Sequence, residues 1–163
     1  MYTMGYILQF AGTGLAFLGA TLAVGLACLG AAKGTGYVGE AGAGLLSEDP
    51  SKFSKVLILS VIPGTNGLYG LVIWFVALAQ LGVFAGEIPT LTLAQGFTFF
   101  AACMPMATAG CVSAIAQGRV AAASVGMLAR QEGDWAKGVI LCVLVEFFAI
   151  LSLLASFLSL VNL

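Results

Sequence analysis

Four apolar segments, at about residues 5–32, 56–82, 93–117 and 138–161, decide what this chain can become. Each is long enough, at about 1.5 Å per helical residue, to cross about 30 Å of hydrocarbon. Backbone groups in lipid must pair within their own segment, which selects helices over open strands. The composition agrees: 61% of residues are hydrophobic and only 8% charged, where soluble domains carry about 25%. The chain therefore reads as an all-α membrane protein in contact with lipid. A net charge of −1, no histidine and no basic run exclude a nucleic-acid surface and a soluble zinc or acid-base site. Cys28, Cys103, Cys111 and Cys142 lie in apolar segments without metal-ligand spacing and read as small buried hydrophobes. The N-terminal "MYTMGYILQF" lacks a positive n-region and continues into an apolar run too long for a signal peptide, so it reads as the first span.

The connectors are "LLSEDPSKFSK", "VFAGEIPTLT" and "ARQEGDWAK", punctuated as turns by Pro50, Gly86, Pro89 and Gly133. All six basic residues fall in or toward the first and third connectors. The positive-inside rule puts segments 46–55 and 130–137 in the cytoplasm of a plasma-membrane protein, with both termini outside.

An internal repeat is visible. "CLGAAKGTGYVGEAGAGLL" resembles "AIAQGRVAAASVGML", pairing Lys33 with Gln117; "KVLILSVIPGTNGLYG" aligns with "KGVILCVLVEFFAILS", pairing Gly64 with Glu146. The shift between copies falls from 84 to 82 residues. The chain reads as two tandem hairpins, 1–84 and 85–163, the second carrying a carboxylate that the first lacks. Gly12, Ala16, Gly19, Ala23, Ala27, Gly30 and Gly34 form a small-residue stripe, matched by Gly96, Cys103, Ala107, Cys111, Ala114 and Gly118, with Phe100 the exception. Such stripes let backbones approach closely. They fit packing inside one four-helix protein, or a ring in which small helices crowd an inner circle and the bulkier second and fourth spans face lipid.

A centrally placed acid costs a lone membrane helix about 2.5–3.5 kcal/mol on insertion scales, so Glu146 calls for partners and marks an ion or proton path. Folding the second hairpin about residues 132–133 brings Gln117 level with Glu146; the repeat puts Thr65 and Asn66 at the same depth. Lys33 and Arg119 then sit well inside the span, in a wet lumen or snorkelling outward. Pro63 withholds a donor from Leu59 and should kink the second helix beside Gly64, Thr65 and Asn66; Pro105 does the same to Ala101 in the third. The acid, two amides, a hydroxyl and a loosened carbonyl form the oxygen-rich set that hard cations prefer.

The set "AKG", "IPGTNGLYG", "AIAQGRVAAA" and "VEFFAIL" resembles the K or c subunit, the proteolipid, of V-type rotary ATPases, especially bacterial members with a sodium-binding ring. The resemblance covers nearly the whole chain, with the motifs in order. It implies a non-catalytic subunit of a homo-oligomeric membrane ring, turned by an ATP-hydrolysing head. Its partners would be a stator a/I-type membrane subunit with an essential arginine and a central-stalk subunit at the cytoplasmic connectors. The implied site comprises the Ile62 carbonyl, Thr65, Gln117 and Glu146, with Tyr69 locking the acid by a hydrogen bond. Asn66 stands where the sodium-binding members carry Gln; one methylene shorter, it reaches an ion directly or through water. The cargo is then Na+, with H+ the alternative. A neutralised Glu146 crosses the lipid-facing arc at low cost, while an emptied one must stay near the stator's positive charge. A small duplicated carrier or channel without ATP coupling is the competing class; the parallel two-helix halves argue against it.

Overall fold

Prolines and glycines, more than any change in hydropathy, decide where the helices of this chain start and stop. The computed structural model describes residues 2–86 and 90–163, with side chains from residue 10 onward. Pro89, expected as a turn residue, lies outside the described residues. Helix α1, Tyr2–Glu48, runs 47 residues without a break, or about 70 Å at the standard rise. The sequence reading ended this helix near residue 32, where polar residues begin. Polarity marks where a helix leaves the bilayer, and only the proline at position 50 stops this one. At the turn, the Asp49 side chain accepts the Ser51 amide, and the Ser51 hydroxyl holds its carboxyl below the usual range.

The second span is α2, Phe53–Val61, and α3, Thr65–Gln80, joined by one tight 3-10 turn at Ile62–Gly64. This is the interruption expected of Pro63. Gly82 and Gly86, at φ of 75° and 80°, turn the chain in a backbone region that strains other residues. Thr92 and Gln95 then form a reciprocal capping box at the start of α4, Leu93–Pro105. After Pro105 comes a wide π turn, Met106–Gly110, then α5, Cys111–Arg130. Like α1, α5 outruns its expected end, by 13 residues beyond Gln117, because nothing there breaks a helix. A 3-10 turn at Glu132–Asp134 leads into α6, Trp135–Val161.

All described regular elements are helical, and four spans, Phe10–Glu48, Pro50–Gln80, Leu93–Arg130 and Glu132–Val161, are long and apolar enough to cross a membrane. Helix α1 packs along α4 and α5 on one side and α3 on another; α6 lies against α3, α4 and α5. The two small-residue stripes meet inside the chain. A Cβ at Gly96 would collide with Gly12 backbone, one at Gly19 with Phe100 and one at Gly118 with Gly34. The stripes themselves are thus accounted for by packing within one chain. Ala16, Ala20, Ala23 and Ala27 of α1 are fully buried, whereas Leu57, Val61, Leu68 and Phe75 of α2–α3 and Leu144, Phe147, Phe148 and Leu158 of α6 are exposed. Within the chain, α1 thus buries its small-residue face, while α2–α3 and α6 turn bulky side chains outward.

The first and third connectors come together at one end, where Lys55 Nζ and Glu132 Oε1 pair at 2.5 Å. Arg119 stacks over the Tyr37 ring at 5.8 Å. The cysteine reading needs one correction: Cys103 and Cys142 are buried, but Cys111 is half-buried and Cys28 exposed. Cys28 lies at the edge of the α1–α3 contact, its sulfur 3.9 Å from the Gly67 carbonyl, rather than in the core.

Candidate ion site

Glu146 occupies the middle of α6, half-buried against α3 and α5. Three side chains donate toward it. The Thr65 hydroxyl is 2.7 Å and the Tyr69 hydroxyl 2.6 Å from its Oε1; the Gln117 amide Nε2 is 3.4 Å from its Oε2. Tyr69 lies one turn beyond Thr65 on α3, so a single face of that helix supplies both hydroxyls. Thr65 Oγ1 is also 2.8 Å from the Ile62 carbonyl. Its one proton serves one acceptor at a time, which leaves lone pairs for an incoming cation.

The local backbone brings the Ile62 carbonyl against Thr65, although the carbonyl that loses a donor to Pro63 is that of Leu59. Pro63 has no N–H, and the chain tightens into the 3-10 turn Ile62–Gly64, with Thr65 N–H closing onto the Ile62 carbonyl. Thr65 is therefore delivered at the first residue of α3, directly beside that carbonyl.

Asn66 and Gln117 are fully buried. Asn66 Nδ2 donates to Gln117 Oε1 at 2.8 Å, and Gln117 Nε2 also donates to the Cys142 carbonyl at 3.2 Å. Asn66 thus reaches the acid through Gln117, the two amides forming a short relay across α3, α5 and α6. Its own Oδ1 is the one buried side-chain polar atom, among the described residues, without a hydrogen-bond partner. An orphaned buried acceptor costs about 1–3 kcal/mol, so this oxygen favours any cation or water that comes to it.

The sequence-expected residues Ile62, Thr65, Tyr69, Gln117 and Glu146 are brought together, with Asn66 joined through Gln117 and Pro63 beneath the turn. Two residues escaped the sequence reading. Ser113 donates to the Val145 carbonyl at 3.0 Å, pinning α6 to α5 beside the acid, and the Cys142 carbonyl orients Gln117. Each stands four residues before a site residue, one helical turn away on the same face. That spacing was the available signal.

Chemically, the cluster offers one carboxylate, the hydroxyls of Thr65 and Tyr69, two amide oxygens and the Ile62 carbonyl within a largely apolar span. Among the described residues no three His, Cys, Asp or Glu side chains cluster as metal ligands. An oxygen set with a single negative charge suits a hard monovalent cation.

Comparison with known proteins matches residues 18–77 and 100–159, one stretch in each half, to the family model of the ATP synthase C subunit. The K subunit of the V-type sodium ATPase of Enterococcus hirae is 41% identical over 160 residues, covering 98% of this chain and 99% of that protein. The K subunit of the A-type ATP synthase of Methanocaldococcus jannaschii is 39% identical over 148 residues, 91% of this chain and 62% of that protein. The 16 kDa proteolipid of the V-type proton ATPase of Nephrops norvegicus is 28% identical over 139 residues, 85% of both chains.

Proposed function

The chain belongs to the family of the ATP synthase C subunit, and on that footing we propose that it is the proteolipid rotor subunit of a V-type rotary ATPase, carrying Na+ across the membrane on Glu146. It is a multi-pass membrane protein with no catalytic role of its own; ATP hydrolysis belongs to other subunits. The duplicated hairpins, divided near residues 84 and 85, assemble with other copies into a ring in the plasma membrane. The 46–55 and 130–137 connectors face the cytoplasm and the central stalk, both termini face outward, and a stator arginine meets Glu146 during rotation.

The observation that carries the choice of ion is the oxygen cluster around one half-buried acid. A proton carrier needs the acid and an acceptor. Here Glu146 is accompanied by Thr65 Oγ1, the Ile62 carbonyl, Gln117 Oε1 and the unpartnered Asn66 Oδ1. A bound Na+ supplies positive charge next to the carboxylate. Thr65 and Ile62 would hold it by their oxygens, and Asn66 Oδ1 directly or across a water. Tyr69 donates to Glu146 Oε1 and keeps the acid turned inward. Neutralised in this way, Glu146 can face lipid; emptied, it must seek the stator's positive charge.

The 41% identical relative, part of a sodium ATPase by name, supports the same reading. The more distant proton ATPase proteolipid keeps H+ as the second reading. Carbodiimide labelling of Glu146 in the purified complex decides between them. Millimolar Na+ at fixed pH is expected to slow labelling, whereas labelling that follows pH alone would assign the site to H+.

A further inference from the structure

Glu146 has no twin, and neither does its oxygen shell. The 82-residue shift relating the hairpins places Gly64 at its position and matches Ile62, Thr65, Asn66 and Tyr69 of the second span to Leu144, Phe147, Phe148 and Leu151 of α6. Within the chain, Thr65 and Tyr69 turn toward α6, and Asn66 toward Gln117. The corresponding face of α6 meets nothing: Leu144, Phe147, Phe148 and Leu151 are 61, 57, 64 and 46% exposed. On the opposite flank, a groove of about 460 Å³ runs between α1 and α2–α3, lined by Thr35, Leu57, Val61, Gly64, Thr65 and Leu68 among others. A Cβ at Gly64 would meet only open space.

We infer that Phe147 of one copy, flanked by Leu144 and Leu151, seats in the groove over Gly64 of the next copy, filling the place where a second ion site would lie. The repeat supplies the template. The packing of α6 beside α3 within the chain becomes, one hairpin further on, the packing of the next copy's α3 beside α6. The shift then sets Gly64 opposite the Leu144–Leu151 face, as Glu146 is set opposite Ile62–Tyr69. The flank of α1 fits the same neighbour. Gly14, Gly25 and Gly36, eleven residues apart and so on one helical face, all have open space where a Cβ would stand. By the repeat, a carboxylate at Gly64 would face Phe147 and Leu151 where Glu146 faces Thr65 and Tyr69, with Lys33 in the place of Gln117. Loss of the acid and aromatic filling of its surroundings are thus two aspects of one change, which makes the contact between copies both tight and ion-free.

The inference rests on the ring reading, and the test separates the two. In the full complex, Gly64→Leu is expected to lower the yield of intact ring, read by native mass after detergent extraction, roughly tenfold or more. Adding Phe147→Ala should restore it by making room, while Phe97→Ala, a similarly exposed aromatic on α4, should not. An intact Gly64→Leu ring, or rescue by both alanines or by neither, overturns the seating of Phe147. A wild-type chain extracted as a monomer would instead overturn the ring reading. In a chain whose four cysteines are replaced by alanine, Gly64→Cys together with Phe147→Cys should give a ladder of linked copies on mild oxidation. Monomers released from an intact ring carrying both cysteines would again overturn the proposal.

Discussion

Thr65 and Tyr69 both donate to the same carboxylate oxygen of Glu146, while Gln117 reaches the other. The two oxygens are therefore not equivalent, and the tyrosine contributes orientation more than charge. A hydrogen bond to a charged group contributes about 1.5–3 kcal/mol, so Tyr69→Phe should weaken Na+ protection against carbodiimide by about tenfold or more, with the ring still assembled. An unchanged Na+ midpoint would mean that Tyr69 does not hold the acid. Glu146→Gln keeps the shape of the side chain and removes its charge; ring assembly should persist and ion transport fall to background in reconstituted vesicles. Much of this was legible in the sequence, because hairpin arithmetic brings Gln117 level with Glu146 and the repeat brings Thr65 to the same depth. The role of Asn66 was not. Whether an amide meets the ion or another amide depends on about an ångström of side-chain reach, and the structure turns its Nδ2 to Gln117 Oε1 with its Oδ1 left over.

At the scale of single helices, the two prolines act differently although both interrupt a span. Pro63 tightens its helix into a 3-10 turn, whereas Pro105 is followed by a widened π turn. The widened turn is secured from outside the helix: Met106 N–H donates to the buried Ser156 Oγ of α6 at 3.0 Å. Ser156→Ala should therefore loosen the α4–α6 contact by about 1 kcal/mol, measured as a lower temperature of ring dissociation, without altering the Na+ midpoint. A sequence shows that a proline removes a donor, but which carbonyls or hydroxyls take up the slack is decided by a helix fifty residues away. Helix length was misjudged for a similar reason. Hydropathy reports the solvent a residue prefers, and α1 and α5 continue as helices after that preference changes.

For the molecule as a whole, closeness between α1 and α5 is the governing dimension. A Cβ at Gly118 would run into the backbone of Gly34, which cannot rotate away as a side chain could. Gly118→Val should accordingly force the hairpins apart, and folded protein in the membrane should fall sharply, seen as gain of protease sensitivity and loss of ring. By contrast, the Lys55–Glu132 pair joins exposed connector residues and its loss should matter little. Glu132→Gln is expected to leave the ring's dissociation temperature unchanged. Helix number and order, and the duplication, could be read from the chain because lipid enforces hydropathy and repeats preserve register. The facing of the two small-residue stripes within one chain could not, since both partners carry the same pattern.

Every group that hydrogen-bonds to Glu146 belongs to the same chain as the acid: Thr65 and Tyr69 from α3, Gln117 from α5. Within one copy the donor set is complete, and Thr65 alone of it also lines the groove proposed for the next copy. With its donors all in one copy, an ion is expected to bind each copy of a closed assembly independently. Titration of a purified ring with Na+ should follow a single-site curve with a Hill slope of about one, however many copies it contains.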